Sequence, residues 1–189
     1  IELQSGAQVA WSEGYRVGRG CLSGSVRDCP NAGPVLTFES PPLSELIAGI
    51  LKPSQNWMTE QLIRTLGAEL GEEGSWSEGI SVMSEFLTEV VGIDSLDIAP
   101  RDGSGLSAYN LVTPRALVRI LQYLSSSQNN DIYRSALATA GEEDSTLQER
   151  LSGLEGRVFA KTGTISNVNS LSGYLTREDG SKVIFSILS

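Results

Sequence analysis

Arg157-Val158-Phe159-Ala160-Lys161-Thr162-Gly163-Thr164-Ile165 is the stretch on which the reading of this chain turns. Val158, Phe159 and Ala160 make a short apolar lead-in of β-prone character, and a strand running through them delivers an ammonium, a hydroxyl and a residue without a side chain in succession. An ammonium and a hydroxyl can together hold a terminal carboxylate. Gly163 removes the side chain that would keep an extended peptide from the strand edge, Thr164 prolongs that edge, and backbone pairing would orient the peptide as an added strand. The plainer reading of the same residues is a solvent-facing lysine before a bend.

The chain has no histidine, so Ser-His-Asp triads, Cys-His pairs and histidine-rich zinc sites are all excluded. If the protein is a hydrolase, lysine must supply the base. Its 189 residues, 40% of them hydrophobic and 20% charged, fit one ordinary folded domain. The formal net charge is −9 and no dense Lys/Arg stripe interrupts the acidity, which argues against nucleic acid or an anionic membrane as a partner. No apolar run approaches the roughly twenty residues that span a bilayer. Cys21 and Cys29 flank a short loop-like stretch that a disulfide could bridge if their Cα atoms approach to about 6 Å, which would suit an oxidising compartment; two free buried thiols are the alternative. Two cysteines without histidine do not complete a zinc site, and no metal is expected.

Outward from Lys161 the pattern is mixed. Upstream, residues 1–34 show scattered Gly and Ser without sustained periodicity and read as short strands and loops leading in from a larger structure. Residues 35–39 are a short β-prone run. Ser40-Pro41-Pro42 then opens a helix whose apolar positions Leu43, Leu46, Ile47, Ile50 and Leu51 recur at helical spacing, until Pro53 ends it. A second helix runs from Trp57 to about Leu70 and a third over 76–91, stopped by Gly92. The loop at 102–107 contains two glycines suited to positive φ, and Thr113 caps a helix with Pro114 at its first position. Residues 132–137 and 146–151 read as short helical patches. Residues 169–176 and 182–188 read as strands joined at Glu178-Asp179-Gly180 in a hairpin.

Ser54-Gln55-Asn56 lies at the junction of the first two helices. Taken alone, Ser54 could simply cap the second helix with Asn56 in its polar first turn, and a Ser-x-Asn match is common on composition. Paired with Lys161-Thr162-Gly163 in a chain without histidine, it resembles the second and third signatures of the penicillin-binding proteins and serine β-lactamases. The stretches Ser40-Pro41-Pro42-Leu43, residues 60–67, residues 102–107 and Thr146-Leu147-x-x-Arg150 narrow that resemblance to the class C low-molecular-mass penicillin-binding proteins. That is the D-alanyl-D-alanine carboxypeptidase/endopeptidase family, and the match in order and spacing covers residues 35–189.

The resemblance implies a mixed α/β, β-lactamase/transpeptidase-like domain with helices against an antiparallel sheet, of which residues 35–189 are the C-terminal part and which is incomplete at both ends. It implies action on peptidoglycan peptides ending in D-Ala-D-Ala through an acyl-enzyme, outside the cytoplasmic membrane, with inhibition by β-lactams and no cofactor. Ser54 would relay a proton to the leaving amine, Asn56 would bind the penultimate amide, and Lys161 would supply positive potential. Thr162 and Thr164 would bind the carboxylate and the adjoining backbone, with Gly163 providing clearance and Leu106 lining the cleft.

The family's nucleophile motif, S-x-x-K, is absent. The lysines are Lys52, Lys161 and Lys182, and the residues three positions before them are Gly49, Val158 and Asp179. The expectation is therefore a portion of a longer enzyme whose nucleophile lies upstream, against the alternatives of a non-catalytic peptidoglycan-binding relative or a serine β-lactamase. Gln55 replaces the commoner aspartate of S-D-N, and Ala108 stands where relatives often carry arginine.

Overall fold

Pro53 and the glycines divide the chain as their backbone chemistry requires. The computed structural model describes residues 2–3, 7–8, 40–72 and 74–189, in two units, Ile1–Leu46 and Ile47–Ser189. In the first, the backbone of β1 (Glu2–Leu3) pairs antiparallel with β2 (Ala7–Gln8). The expected strand at 35–39, the Cys21–Cys29 pairing and the boundary at residue 34 lie outside the described residues.

The helix expected after Ser40-Pro41-Pro42 is α1 (Leu43–Leu51), and α2 (Asn56–Leu70) follows it directly. The next helix, α3 (Trp76–Glu85), opens on a capping box in which Ser75 and Glu78 satisfy each other's backbone amides. Helices α2 and α3 meet backbone to backbone. A Cβ on Gly79 would stand 1.9 Å from the Ile63 carbonyl oxygen, and one on Gly67 would stand 2.3 Å from that of Ser75.

The third helix does not continue as α-helix to residue 91. Phe86–Val90 form a π turn, in which the Val91 amide reaches back to the Phe86 carbonyl at 3.0 Å. Ser81, Ser84 and Thr88 all bond carbonyls one turn earlier, and such back-bonding competes with the α ladder. Leu87 and Val91 are buried with Ile93 and Ala116, so packing favours this geometry. Gly92 then ends the helix at φ +75°.

A small ladder, β3 (Ile98–Ala99) with β4 (Leu111–Val112), was not expected from the sequence, since two-residue strands carry no periodicity. Helix α4 (Pro114–Ser125) starts as predicted, with the Thr113 hydroxyl accepting the Ala116 amide, and α5 (Asn130–Ala136) follows. The expected helical patch at 146–151 is a series of turns instead. Asp144 and Leu151 lie at φ +56° and +59°, conformations that no right-handed helix accommodates. The segment is held by turn bonds such as Arg150 N–H to the Leu147 carbonyl at 3.1 Å.

The main sheet has the order β5 (Ala138–Thr139), β6 (Val158–Ile165), β7 (Val168–Thr176), β8 (Lys182–Leu188), antiparallel throughout. The expected hairpin at 178–180 joins β7 to β8, with Gly180 at φ +81°. Alternation along β6 sends Val158 and Ala160 to a core with Ala138 and Leu147, and Phe159 to the opposite face with Leu51, Leu121 and Tyr174. Tyr174 is tied to α4 by its hydroxyl, which donates to the Leu121 carbonyl at 2.8 Å. A mixed helix–sheet fold around an antiparallel sheet is therefore present, as the sequence predicted.

Candidate active site

Alternation along β6 also decides where the functional side chains point. Lys161 lies on the Phe159 face, and Thr162 is buried on the other, 8% exposed. The Lys161 ammonium donates to the Ser54 hydroxyl oxygen at 2.7 Å and to the Thr162 carbonyl at 2.7 Å. Burial holds the Lys161 ammonium below its ordinary lysine value. Because Ser54 Oγ accepts this bond, its own proton remains available to donate elsewhere.

Ser54 does not cap α2. Gln55 occupies that position without a side-chain cap, and Ser54 precedes it at φ +62°. The Gln55 amide bonds the Ile50 carbonyl at 2.9 Å, the closure of a helix C-terminus in which a left-handed residue is normally glycine. A serine there costs about 1 kcal/mol in backbone strain, a cost typical of functional positions. Asn56 is the first residue of α2 and is exposed, next to the exposed Trp57.

The K-T-G strand has an open outer edge among the described residues. β7 pairs with β6 along its whole length, but β5 covers only Phe159 and Ala160, leaving Lys161 to Ile165 without a partner on that side. Gly163 faces Ser170 across the β6–β7 pair, and a Cβ there would stand 2.4 Å from Ser170 Oγ. The absent side chain thus leaves room for Ser170 Oγ on that face of the sheet. Thr164 is exposed and its hydroxyl donates to Asn169 Oδ1 at 3.3 Å.

Leu106 is 56% exposed, on a loop organised by Asp102, whose two carboxylate oxygens accept the amides of Gly105 and Ser107 at 2.7 and 2.6 Å. Only Gly105 of the loop's two glycines has positive φ, +81°. Gly103 serves close approach instead: a Cβ would stand 2.5 Å from Ile63 Cγ1 and 2.7 Å from the Thr59 carbonyl oxygen of α2. The link to the site is Glu60, one turn beyond Asn56. Its carboxylate accepts the amides of Gly103 and Ser104, at 3.2 and 2.9 Å, and the Trp76 indole at 2.8 Å. Partial burial pushes the Glu60 carboxyl up, but the bonds from Ser104, Trp76 and Gly103 outweigh it and hold the group below its ordinary value. Sequence reasoning assigned Glu60 no task, although it lies in the 60–67 stretch that carried the family resemblance. Among the described residues no group of three or more His, Cys, Asp or Glu could hold a metal ion.

The model of the D-Ala-D-Ala carboxypeptidase 3 (S13) family matches residues 10–189. The chain belongs to that family. The D-alanyl-D-alanine carboxypeptidase of Actinomadura sp. (strain R39) is 36% identical over 174 residues, which cover 89% of this chain and 32% of that protein. The crystal structure of penicillin binding protein 4 (dacB) from Haemophilus influenzae matches 79% of this chain and 34% of its own, at 30% identity and TM-score 0.70. The same protein complexed with a novel β-lactam matches at 29% identity and TM-score 0.71, covering 79% of this chain and 35% of its own. This S13 chain thus spans about a third of the length of the relatives it matches. Its relatives' names agree with the carboxypeptidase resemblance that residues 40–43, 60–67, 102–107 and 146–150 added to the S-x-N and K-T-G motifs.

Proposed function

We propose that this chain supplies the S-x-N and K-T-G walls of the active site of a serine-type D-Ala-D-Ala carboxypeptidase/endopeptidase, which acts on peptidoglycan stem peptides outside the cytoplasmic membrane and is inhibited by β-lactams. The observation that carries the reading is the 2.7 Å hydrogen bond from Lys161 to Ser54, which joins two motifs 107 residues apart. An isolated solvent-facing lysine would make no such bond.

In this mechanism a serine from an S-x-x-K motif outside these 189 residues attacks the carbonyl between the two D-alanines, and water later releases the acyl-enzyme. The Lys161 ammonium holds the Ser54 hydroxyl with its proton directed away, so that Ser54 can pass a proton between the base of the nucleophile motif and the leaving amine. Asn56 presents its exposed amide to the penultimate peptide group. The substrate's extended backbone lies along the open edge of β6 at residues 161–165, with the exposed Thr164 beside it, while Thr162, buried on the face opposite Lys161, supports the strand. Fixed donors around a developing charge supply a large part of the rate.

Covalent labelling of the full-length protein with a fluorescent penicillin, followed by peptide mapping, tests this reading. A stable adduct on a serine outside residues 1–189 is expected. Absence of labelling would favour a non-catalytic peptidoglycan-binding relative, rapid release of hydrolysed drug would favour a β-lactamase, and an adduct on Ser54 would overturn the role given to it here.

A further inference from the structure

The Ser54 turn is strained, and a turn held at φ +62° by a serine keeps that shape only if its surroundings impose it. Two residues before Ser54, Lys52 forms an ion pair with Glu142, each side chain about three-quarters buried, at 28% and 25% exposure. The Lys52 carbonyl accepts the Thr146 amide at 3.0 Å, which fixes the same residue from its backbone side.

Glu142 in turn belongs to the other wall. The carboxylate oxygen not paired with Lys52 accepts the Thr139 amide at 3.1 Å, and the Glu142 amide bonds the Thr139 carbonyl at 3.2 Å. Thr139 and Ala138 are the residues of β5 that pair with Phe159 and Ala160, immediately before Lys161. One carboxylate therefore grips the strand that positions Lys161 and the residue that begins the Ser54 turn. A largely buried salt bridge costs desolvation and is weak evidence for stability by itself.

We propose that Lys52 and Glu142 are positioning residues that dock the Ser54 turn against β6, setting the Ser54–Lys161 distance and thereby the rate of acylation. The pair touches no reacting atom; it acts through Ser54. The inference rests on the functional reading above, in that acylation is the quantity it controls.

The experiment measures the acylation rate of the full-length protein by a fluorescent penicillin for wild type, Glu142→Gln, Ser54→Ala and the double variant, with Tm recorded for each. Glu142→Gln slows acylation about tenfold in the wild-type background and leaves the rate unchanged in the Ser54→Ala background, because the turn then has no hydroxyl to place. Lys52→Arg, which keeps the charge, retains most of the rate. An equal slowing in both backgrounds would mean a general structural effect and overturn the proposal, as would no slowing at all. If Glu142→Gln does not fold, Lys52→Gln takes its place in the same cycle; loss of folding in both makes the pair a stability element and likewise overturns it. A wild-type protein that is not acylated overturns the functional reading itself, a result distinct from all of these.

Discussion

The Lys161 ammonium donates a 2.7 Å hydrogen bond to the Ser54 hydroxyl, and Ser54 makes that contact from a left-handed backbone conformation at φ +62°. A strand residue and a helix-terminal residue thus meet at a point where one of them is strained. The strain is the cost of presenting a hydroxyl where helix ends ordinarily carry glycine.

Ser54→Gly and Ser54→Ala both delete the hydroxyl, but only glycine tolerates the backbone. Ser54→Gly is expected to be more stable than Ser54→Ala by about 1 kcal/mol, the reverse of the order found in helix interiors. Denaturant unfolding of the two variants checks this. Equal stability would mean that the turn relaxes when the hydroxyl is gone.

Lys161→Met keeps the side chain's length and removes its charge. It is expected to slow acylation of the full-length protein at least tenfold, equivalent to about 1.4 kcal/mol of barrier. It also removes a pH dependence. With its folded value below the ordinary 10.5, Lys161 binds fewer protons in the folded than in the unfolded chain between those two values. Wild-type stability therefore rises with pH across that window, while Lys161→Met lacks the rise. Melting curves at a series of alkaline pH values show it directly.

Glu60→Gln replaces an acceptor of three donors by a weaker one. Because the folded Glu60 carboxyl lies below its ordinary value of 4.5, its contribution to stability is complete above that pH and disappears as pH falls through the folded value. Wild type should lose stability on acidification below 4.5 more steeply than Glu60→Gln. In the full-length protein the variant should raise KM for peptide substrates more than it lowers kcat, since it loosens Leu106 rather than Lys161. Parallel acid-unfolding curves for the two proteins would reject this role.

Gly173 lies on β7 opposite Ala160, where a Cβ would stand 2.1 Å from the Phe159 carbonyl oxygen and 2.6 Å from Ala160 Cα. Backbone atoms in a paired strand cannot step aside, so Gly173→Ala is expected to cost about 3 kcal/mol. Gly163→Ala meets only Ser170 Oγ, which can rotate away, and should cost much less. Comparative thermal melts separate the two; similar losses would mean that β6 and β7 adjust as a unit.

Much of the fold was legible because its signals are local. The prolines at 41, 42, 53 and 114, the Thr113 cap and the stop at Gly92 mark helix ends through the φ values and hydrogen bonds of neighbouring residues. The K-T-G strand and the β7–β8 hairpin follow from apolar runs and the turn at Gly180. The π turn at Phe86–Val90 and the two-residue strands carried no comparable signal, since the one depends on packing around Leu87 and the others are too short to show a period. The turns at 146–151 had a helical pattern but a backbone at Leu151 that forbids it.

The sequence by itself determined which chemistry was available: no histidine, one K-T-G on a strand, S-x-N at two helix junctions, 54–56 and 127–129, and no S-x-x-K. Only the tertiary structure decided how those groups meet. Ser54 and Lys161 are 107 residues apart, Lys52 and Glu142 are 90 apart, and Glu60 reaches its loop across 43. Hydrogen bonds and ion pairs at such separations leave no periodic trace, because each needs only two residues of the right type and a fold that carries one to the other.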